Sequence, residues 1–332
     1  MNRFSSIAAL TAILLTAVAC GDDSSTETTT APSSASSDTT VASDTTVAPD
    51  TTVAPDTTVA SDTTDAPDDT DAAGNVPSAI VSLSPSGTEM LFAIGAGEQV
   101  IAVDQYSDYP VEALAKPHDL SGYEPNVEAI AALAPDLVVL SDPTIQPQLE
   151  ALGIAVWVGS APTTFDDVYA QIEQLGAATG HIGEAGELVG QMQADIAAAV
   201  AAAPQLAEPL SYYHELDPTF YSVTSSTFIG QVYGLFGLAN IADGVEEGND
   251  YPQLSAEYIV SSTPDLVFLA DTKCCGESAA TVGARAGWAA ITAVANGGVI
   301  EMDDDIASRW GPRIVEYVQA VSDALAKVPA EA

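Results

Sequence analysis

The chain has 332 residues, with 47 acidic side chains against seven Lys and Arg, and its formal net charge is −40. From residue 77 onward, 35 acids face six bases. Such a charge repels nucleic acid and anionic lipid, so both are excluded as partners. Attraction to a basic partner and simple solubility remain as roles for the acids.

Residues 1–19 are predicted to form an export signal. Arg3 precedes an apolar run over residues 7–18 that is too short to cross a bilayer as a helix. Small residues followed by Cys20 are typical of a lipoprotein signal, in which the cysteine carries the lipid and becomes the N-terminus. Ordinary cleavage after the Ala17-Val18-Ala19 triplet is the alternative. We therefore expect an exported protein on the outer face of the cell membrane, held there by a lipid anchor alone.

Residues 20–76 have the composition of a tether. Six-residue units of the type Val-Ala-Pro-Asp-Thr-Thr repeat over residues 41–64, and the segment has twelve acids, no Lys or Arg and no aromatic residue. It cannot bury enough apolar surface to offset its ordering entropy, so we expect it to be disordered. A flexible chain of this length spans roughly 40 Å.

Residues 77–328 alternate apolar strand patterns with helical patterns. Strands are predicted at 78–84, 100–103, 136–140, 154–158, 210–216, 266–269 and 299–302. Helices are predicted at 85–94, 146–152, 165–178, 227–238, 279–290 and from 312 to 328, with shorter ones after Asn126 and Ser255. Apolar strands that alternate with helices indicate an α/β fold in which mainly parallel sheets are covered on both faces.

Between these halves, residues 183–203 are predicted to form a single helix. Leu188, Met192, Ile196 and Val200 recur every four positions, and alanines fill most of the remaining sites. The helix would connect an N-terminal lobe over 77–182 to a C-terminal lobe over 204–328.

The two halves share a repeated stretch. Residues 126–140 and 255–269 each have an N-cap residue, a glutamate two positions later (Glu128 or Glu257), and then Pro-Asp-Leu-Val seven residues on. Both glutamates are predicted to lie in the first turn of a short helix, where the helix dipole favours a carboxylate by roughly 0.3–1 kcal/mol. The repeat is compatible with two roles for these glutamates. One is this local stabilisation of a helix, and the other is presentation of one charge per lobe to a partner.

The remaining chemistry-bearing residues do not indicate an enzyme. Ser84 and Ser86 lie outside any nucleophile elbow, and His118, His181 and His214 are scattered. Neither a catalytic group nor a cofactor is expected. His214 next to Glu215 is a hint of a metal-ion receptor, and an adhesion module on a stalk is a third class.

The adjacent cysteines Cys274 and Cys275 form either a vicinal disulfide or two free thiols. A metal site there is not expected, because two neighbouring thiols without a nearby histidine are poor tetrahedral ligands.

With these residues in view, the chain resembles the solute-binding proteins of ABC importers for cobalamin and iron complexes. The resemblance rests on the runs at 83–89, 106–110, 251–255 and 309–313, together with the Glu128 stretch. It implies the helical-backbone periplasmic-binding fold, in which one rigid helix joins two lobes, and a monomer that binds its ligand in the cleft between them.

The resemblance also implies roles for particular residues. Glu128 and Glu257 would pair with arginines of the membrane permease. Candidate ligand contacts are Tyr106, Tyr123, Tyr251, Arg309 and Trp310. Aromatic side chains suit the faces of corrinoids, haem or catecholates, and Arg309 could counter an anionic group. Packing at the rim is the alternative for Tyr123 and Tyr251. The ligand stays open between a corrinoid, a siderophore and haem.

Overall fold

The computed structural model describes residues 76–328. The predicted export signal, Cys20 and the tether up to residue 75 lie outside these residues. The described chain forms two four-stranded sheets, and we call the parts that carry them the first lobe and the second lobe.

The first lobe has the sheet order β2-β1-β3-β4, with all neighbours parallel. Its strands are β1 (Ile80–Leu83), β2 (Val100–Val103), β3 (Leu137–Leu140) and β4 (Ala155–Val158). Its helices are α1 (Pro85–Ala93), α2 (Val127–Ala132), α3 (Gln146–Ala151) and α4 (Phe165–Thr179). All four residues of β1 and of β3 are buried, because helices cover both faces of the sheet.

The second lobe repeats this plan with the order β6-β5-β7-β8, again parallel throughout. Its strands are β5 (Ser211–Glu215), β6 (Ala239–Asn240), β7 (Leu266–Leu269) and β8 (Val299–Glu301). Its helices are α6 (Phe228–Gly234), α7 (Ala256–Ser262), α8 (Thr272–Cys275), α9 (Ala279–Ala284), α10 (Thr292–Asn296), α11 (Asp304–Ser308) and α12 (Ile314–Leu325). The predicted α/β class with two parallel sheets is confirmed.

The helix between the sheets, α5 (Ile182–Ala202), packs against α4 of the first lobe and α12 of the second. Its buried residues are Ala185, Val189, Met192, Ile196 and Ala199. The predicted stripe differs, because the buried positions alternate steps of three and four as a straight helix requires. The Ser322 hydroxyl donates a hydrogen bond of 2.8 Å to the Ala199 carbonyl and so fixes α12 to this helix.

The repeated Pro-Asp-Leu-Val run has a structural role in both lobes. The Asp136 carboxylate accepts hydrogen bonds from the backbone and hydroxyl of Ser78, just before β1, at 2.8 and 2.9 Å. Asp265 does the same for Ser211 at the start of β5, at 2.8 and 2.7 Å. These bonds lower the pKa of Asp136. Each aspartate therefore aligns the starts of two neighbouring strands.

Several predicted boundaries in the second lobe were wrong. The helix predicted to reach Leu238 ends at Gly234, and the chain passes through Gly237 (φ 68°) into strand β6. The helix predicted over 279–290 ends at Ala284, where extended backbone at Arg285 and a left-handed Gly287 (φ 83°) interrupt it.

Two further elements of the second lobe were missed. The segment that contains the cysteines forms the short helix α8 rather than a loop throughout. The last helix begins at Ile314, after the unpredicted helix α11. Nowhere in residues 76–328 does a helix combine the length and apolar character that crossing a bilayer requires.

Candidate functional site

The carboxyl edges of the two sheets face each other. Strand β1 leads into helix α1, which carries Glu89, and β2 leads to the loop with Tyr106 and Asp108. In the second lobe, β8 leads through α11 to Arg309. The Arg309 guanidinium donates to Glu89 at 3.0 Å, to Asp108 at 2.9 Å and to the Tyr106 carbonyl at 3.0 Å. The gap between these edges, which we call the cleft, is the candidate ligand site.

A buried ion network closes one side of the cleft. Glu89 is 2% exposed and accepts from Arg309 and, through Oε2 at 2.9 Å, from the Arg313 Nε. The Arg313 guanidinium also stacks over the Tyr109 ring at 4.1 Å from its centroid. Residues more than 200 positions apart in the chain are joined here. The network therefore fixes the first lobe against the second.

Arg309 does not face an empty anion site. It also donates to Asp305 at 2.7 Å, so three carboxylates surround it. Burial opposes its charge, but the hydrogen bonds that Arg309 donates to Asp108 and Glu89 outweigh that cost and raise the pKa of Arg309. The expectation that Arg309 counters an anionic ligand thus differs from what the structure records, because the protein's own acids occupy its guanidinium.

The three candidate tyrosines are exposed. Tyr123 is 88% exposed, Tyr106 58% and Tyr251 50%. Tyr123 lines a cavity of about 490 Å³ at the carboxyl ends of β1 and β3. Tyr106 borders the ion network, since its carbonyl accepts from Arg309. Each ring is thus accessible to a ligand from solvent.

Trp310 is placed differently from the tyrosines. It is only partly exposed and packs against the main hydrophobic core. Tyr221, on the loop after β5, is 40% exposed and forms an antiparallel bridge to Gln253, two residues after Tyr251. We did not assign Tyr221 from the sequence, because a single tyrosine in a loop carries no pattern.

A second buried charge cluster lies at the carboxyl end of β5 and β7. Glu215 is fully buried and binds the Arg285 guanidinium in bidentate fashion at 2.7 and 2.6 Å. Arg285 also contacts Glu277 at 2.8 Å and stacks over the Trp288 ring at 4.6 Å. These bonds to carboxylates outweigh burial and raise the pKa of Arg285.

Asp271 completes this cluster beside Glu215, and no donor group reaches either of its carboxylate oxygens. It is 0% exposed. Burial, and next the charge of Glu215, raise the pKa of Asp271 to about 7. Its carboxyl group is therefore half protonated near neutral pH.

The histidine beside Glu215 has a structural partner. His214 is fully buried, and its Nδ1 lies 2.8 Å from the Tyr233 hydroxyl. Burial lowers the pKa of His214 to about 3, so the ring is neutral at ordinary pH. Within the described chain no group of three or more His, Cys, Asp or Glu residues is arranged to hold a metal ion.

The two repeated glutamates lie where the sequence predicts. Glu128 is exposed in the first turn of α2, which Asn126 caps, and Glu257 is exposed in the first turn of α7, which Ser255 caps. Each helix runs back toward the start of the strand that follows it, so each first turn lies toward the carboxyl edge of its sheet. One exposed carboxylate per lobe thus lies at the cleft side of the molecule.

Comparison with known proteins agrees with this geometry. The model of the family described as "Periplasmic binding protein" matches residues 80–306. The chain belongs to the periplasmic binding protein family. This family consists of solute-binding proteins.

Two relatives and one solved structure are informative. An ABC transporter substrate-binding lipoprotein of Bacillus subtilis, YvrC, is 30% identical over 75% of this chain and 80% of its own length. A cobalamin-binding protein of Halobacterium salinarum is 31% identical over 75% and 69%. The periplasmic vitamin B12 binding protein BtuF of Vibrio cholerae superposes with a TM-score of 0.63 at 26% identity, over 76% of this chain and 97% of that one.

Proposed function

We propose that this periplasmic binding protein is the extracytoplasmic component of an ABC importer and carries a corrinoid in the cleft. The proposal is supported by exposed tyrosines in both lobes and by arginines between the lobes that are already paired with carboxylates. Such a site favours a large, flat ligand with little net negative charge. A corrinoid, whose ring is rimmed with amides, has this chemistry.

The tyrosines supply most of the contact in this proposal. Tyr106 and Tyr123 present their rings from the first lobe, and Tyr221 and Tyr251 from the second. Aromatic rings bury large areas at little entropic cost and offer a hydroxyl to the amides of the ligand rim. Trp310, packed against the core beside Arg309, supports the floor of the cleft in this arrangement rather than stacking on the ligand.

Delivery would depend on Glu128 and Glu257. Two exposed carboxylates at the cleft side can pair with two basic residues of the permease and set the orientation of the docked protein. Exposed ion pairs contribute only about 0–1 kcal/mol each, so they govern encounter and register more than affinity. In this proposal, lipidation of Cys20 and the acidic tether hold the carrier at the outer face of the cell membrane, beside its permease. The carrier has no catalytic step of its own.

The proposal is tested by titrating the purified full-length protein with cyanocobalamin in an isothermal calorimeter. We expect a one-to-one complex whose affinity falls at least tenfold in a Tyr123→Ala, Tyr251→Ala double variant. Leu152→Ala, a truncation of another exposed side chain, is the control, because Leu152 follows α3 away from the cleft.

An iron complex is the second candidate ligand, since the resemblance covers importers of both classes. Haem and a ferric catecholate siderophore should be titrated alongside. Tight binding of either one, without retention of cyanocobalamin, would replace the corrinoid assignment and leave the importer role in place.

A further inference from the structure

The disulfide between Cys274 and Cys275 joins neighbouring residues. In the chain-entropy account, a disulfide stabilises a fold by closing a loop of the unfolded chain, and the effect grows with the length of that loop. A loop between adjacent residues is the shortest there is, so this bond does little to stabilise the fold. Both cysteines are exposed, so they are not core residues either. The bond therefore calls for a local role.

The helix that carries the bond, α8, is held firmly in place. The Asp304 carboxylate accepts hydrogen bonds from the backbone amides of Thr272, Lys273 and Cys274 at 2.8 to 3.1 Å. The Lys273 ammonium pairs with Asp303 at 2.7 Å and with Asp305 at 2.9 Å. These contacts therefore hold the helix with the disulfide in a fixed position.

The same contacts place the disulfide at the cleft. Asp305 binds Lys273 on one side and Arg309 on the other, and Arg309 reaches Asp108 of the first lobe. Two residues, Asp305 and Arg309, therefore separate α8 from the opposite lobe. Helix α8 also begins two residues after Ala270, which follows the carboxyl end of β7, the edge that faces the cleft.

The internal repeat gives an independent placement. Positions 129 residues apart correspond, so α8 corresponds to the segment that follows β3. Ile145 of that segment, which corresponds to Cys274, lines the cavity with Tyr123. The disulfide consequently takes the matching position on the wall of the second lobe.

The disulfide itself offers no free backbone donor to solvent. The Cys274 amide donates to Asp304, and the Cys275 amide donates to the Asp271 carbonyl at 3.2 Å, so both donors are used inside the protein. The side chains of these two exposed residues consist of sulfur atoms and methylenes, which are polarisable and match the face or edge of a conjugated ring.

We propose that the Cys274–Cys275 disulfide is a ligand subsite, a rigid apolar platform on which the conjugated ring of the ligand rests. The proposal depends on the function proposed above. In this proposal the disulfide gives the second lobe a contact to the ligand at a position where no aromatic residue supplies one.

The test compares the affinity of wild-type protein for cyanocobalamin with that of a Cys274→Ala, Cys275→Ala double variant. A second sample of wild-type protein is reduced and then freed of reductant, and alkylation followed by mass spectrometry verifies that both thiols are open. We expect both samples to bind about tenfold more weakly, while their melting temperatures stay within a degree or so of the wild type because the bond closes so short a loop. Leu152→Ala again serves as the control and should bind as the wild type does.

The failure of the subsite proposal can be distinguished from the failure of the proposed function. Wild-type binding with an unchanged affinity in the double variant, or in the reduced protein, would overturn the subsite alone. Failure of the wild-type protein to bind cyanocobalamin would overturn the corrinoid assignment, and the subsite as stated would fall with it.

Discussion

Replacement of Asp271 by asparagine should change the pH dependence of stability. Asp271 is fully buried beside Glu215, and both of its oxygens lack a hydrogen-bond partner. Asparagine has nearly the same shape and cannot ionise. The substitution therefore removes the titration of this one group and leaves the Glu215–Arg285 pair in place.

The size of the effect follows from the shift in pKa. Burial and the charge of Glu215 raise the pKa of Asp271 from 3.8 to about 7 in the folded protein. Between these two pH values the folded state holds a proton that the unfolded state has lost. The free energy of unfolding is therefore highest below pH 4 and falls as the pH rises to 7. At 1.36 kcal/mol per unit, the loss amounts to about 4 kcal/mol.

Urea denaturation of the wild type and of Asp271→Asn, at intervals from pH 4 to pH 8.5, measures this loss. We expect the difference in unfolding free energy to shift in favour of the variant by about 4 kcal/mol across this range, with most of the change complete by pH 7. The control is Asp323→Asn, which alters an exposed carboxylate on α12. A difference that stays constant with pH would show that Asp271 does not hold a proton in the folded state, and the reasoning would be wrong.

Three other outcomes follow from the structure. Glu89→Gln should lower the unfolding free energy by about 3 kcal/mol in urea titrations, because it leaves two largely buried arginines without their shared carboxylate. A loss below 1 kcal/mol would contradict this account of the network. Reversal of charge at Glu128 and Glu257 together should abolish uptake by cells or proteoliposomes while calorimetric affinity for cyanocobalamin is kept, and unchanged uptake would end the docking idea. Trp310→Phe should retain most of the fluorescence quenching by bound ligand if Trp310 only supports the cleft floor; loss of the whole quench would place its ring on the ligand.

Sequence patterns were sufficient to predict those helices and strands whose signals lie close together in the chain. The run from Glu128 to Leu140 has an N-cap, a first-turn acid, a proline stop and an apolar strand, and each signal acts within a few residues. The class of fold followed from the alternation of such units. The predicted helices were too long where a glycine or a tertiary contact determines the backbone conformation, as at Gly237 before β6.

The ion networks could not be predicted, because their members lie far apart in the chain. Glu89 stands among apolar residues of α1 and meets Arg309 and Arg313 from a position 220 or more residues away. Glu215 and Arg285 are 70 residues apart. A buried glutamate next to Met90 and Leu91 is the one local signal, since a carboxylate on the buried face of a helix needs a cationic partner.

These networks bear on the charge of the ligand. Each arginine in residues 76–328 binds a carboxylate that is almost fully buried, and Lys273 binds two further acids. An anionic ligand that drew Arg309 or Arg313 away from Glu89 would break a buried pair, and removal of one partner from such a pair costs about 3–5 kcal/mol. That cost weakens binding by a factor of at least about 100 relative to an arginine that is free. A ligand without net negative charge avoids the penalty, so the internal pairing of these bases is our reason for proposing a corrinoid rather than an anionic siderophore.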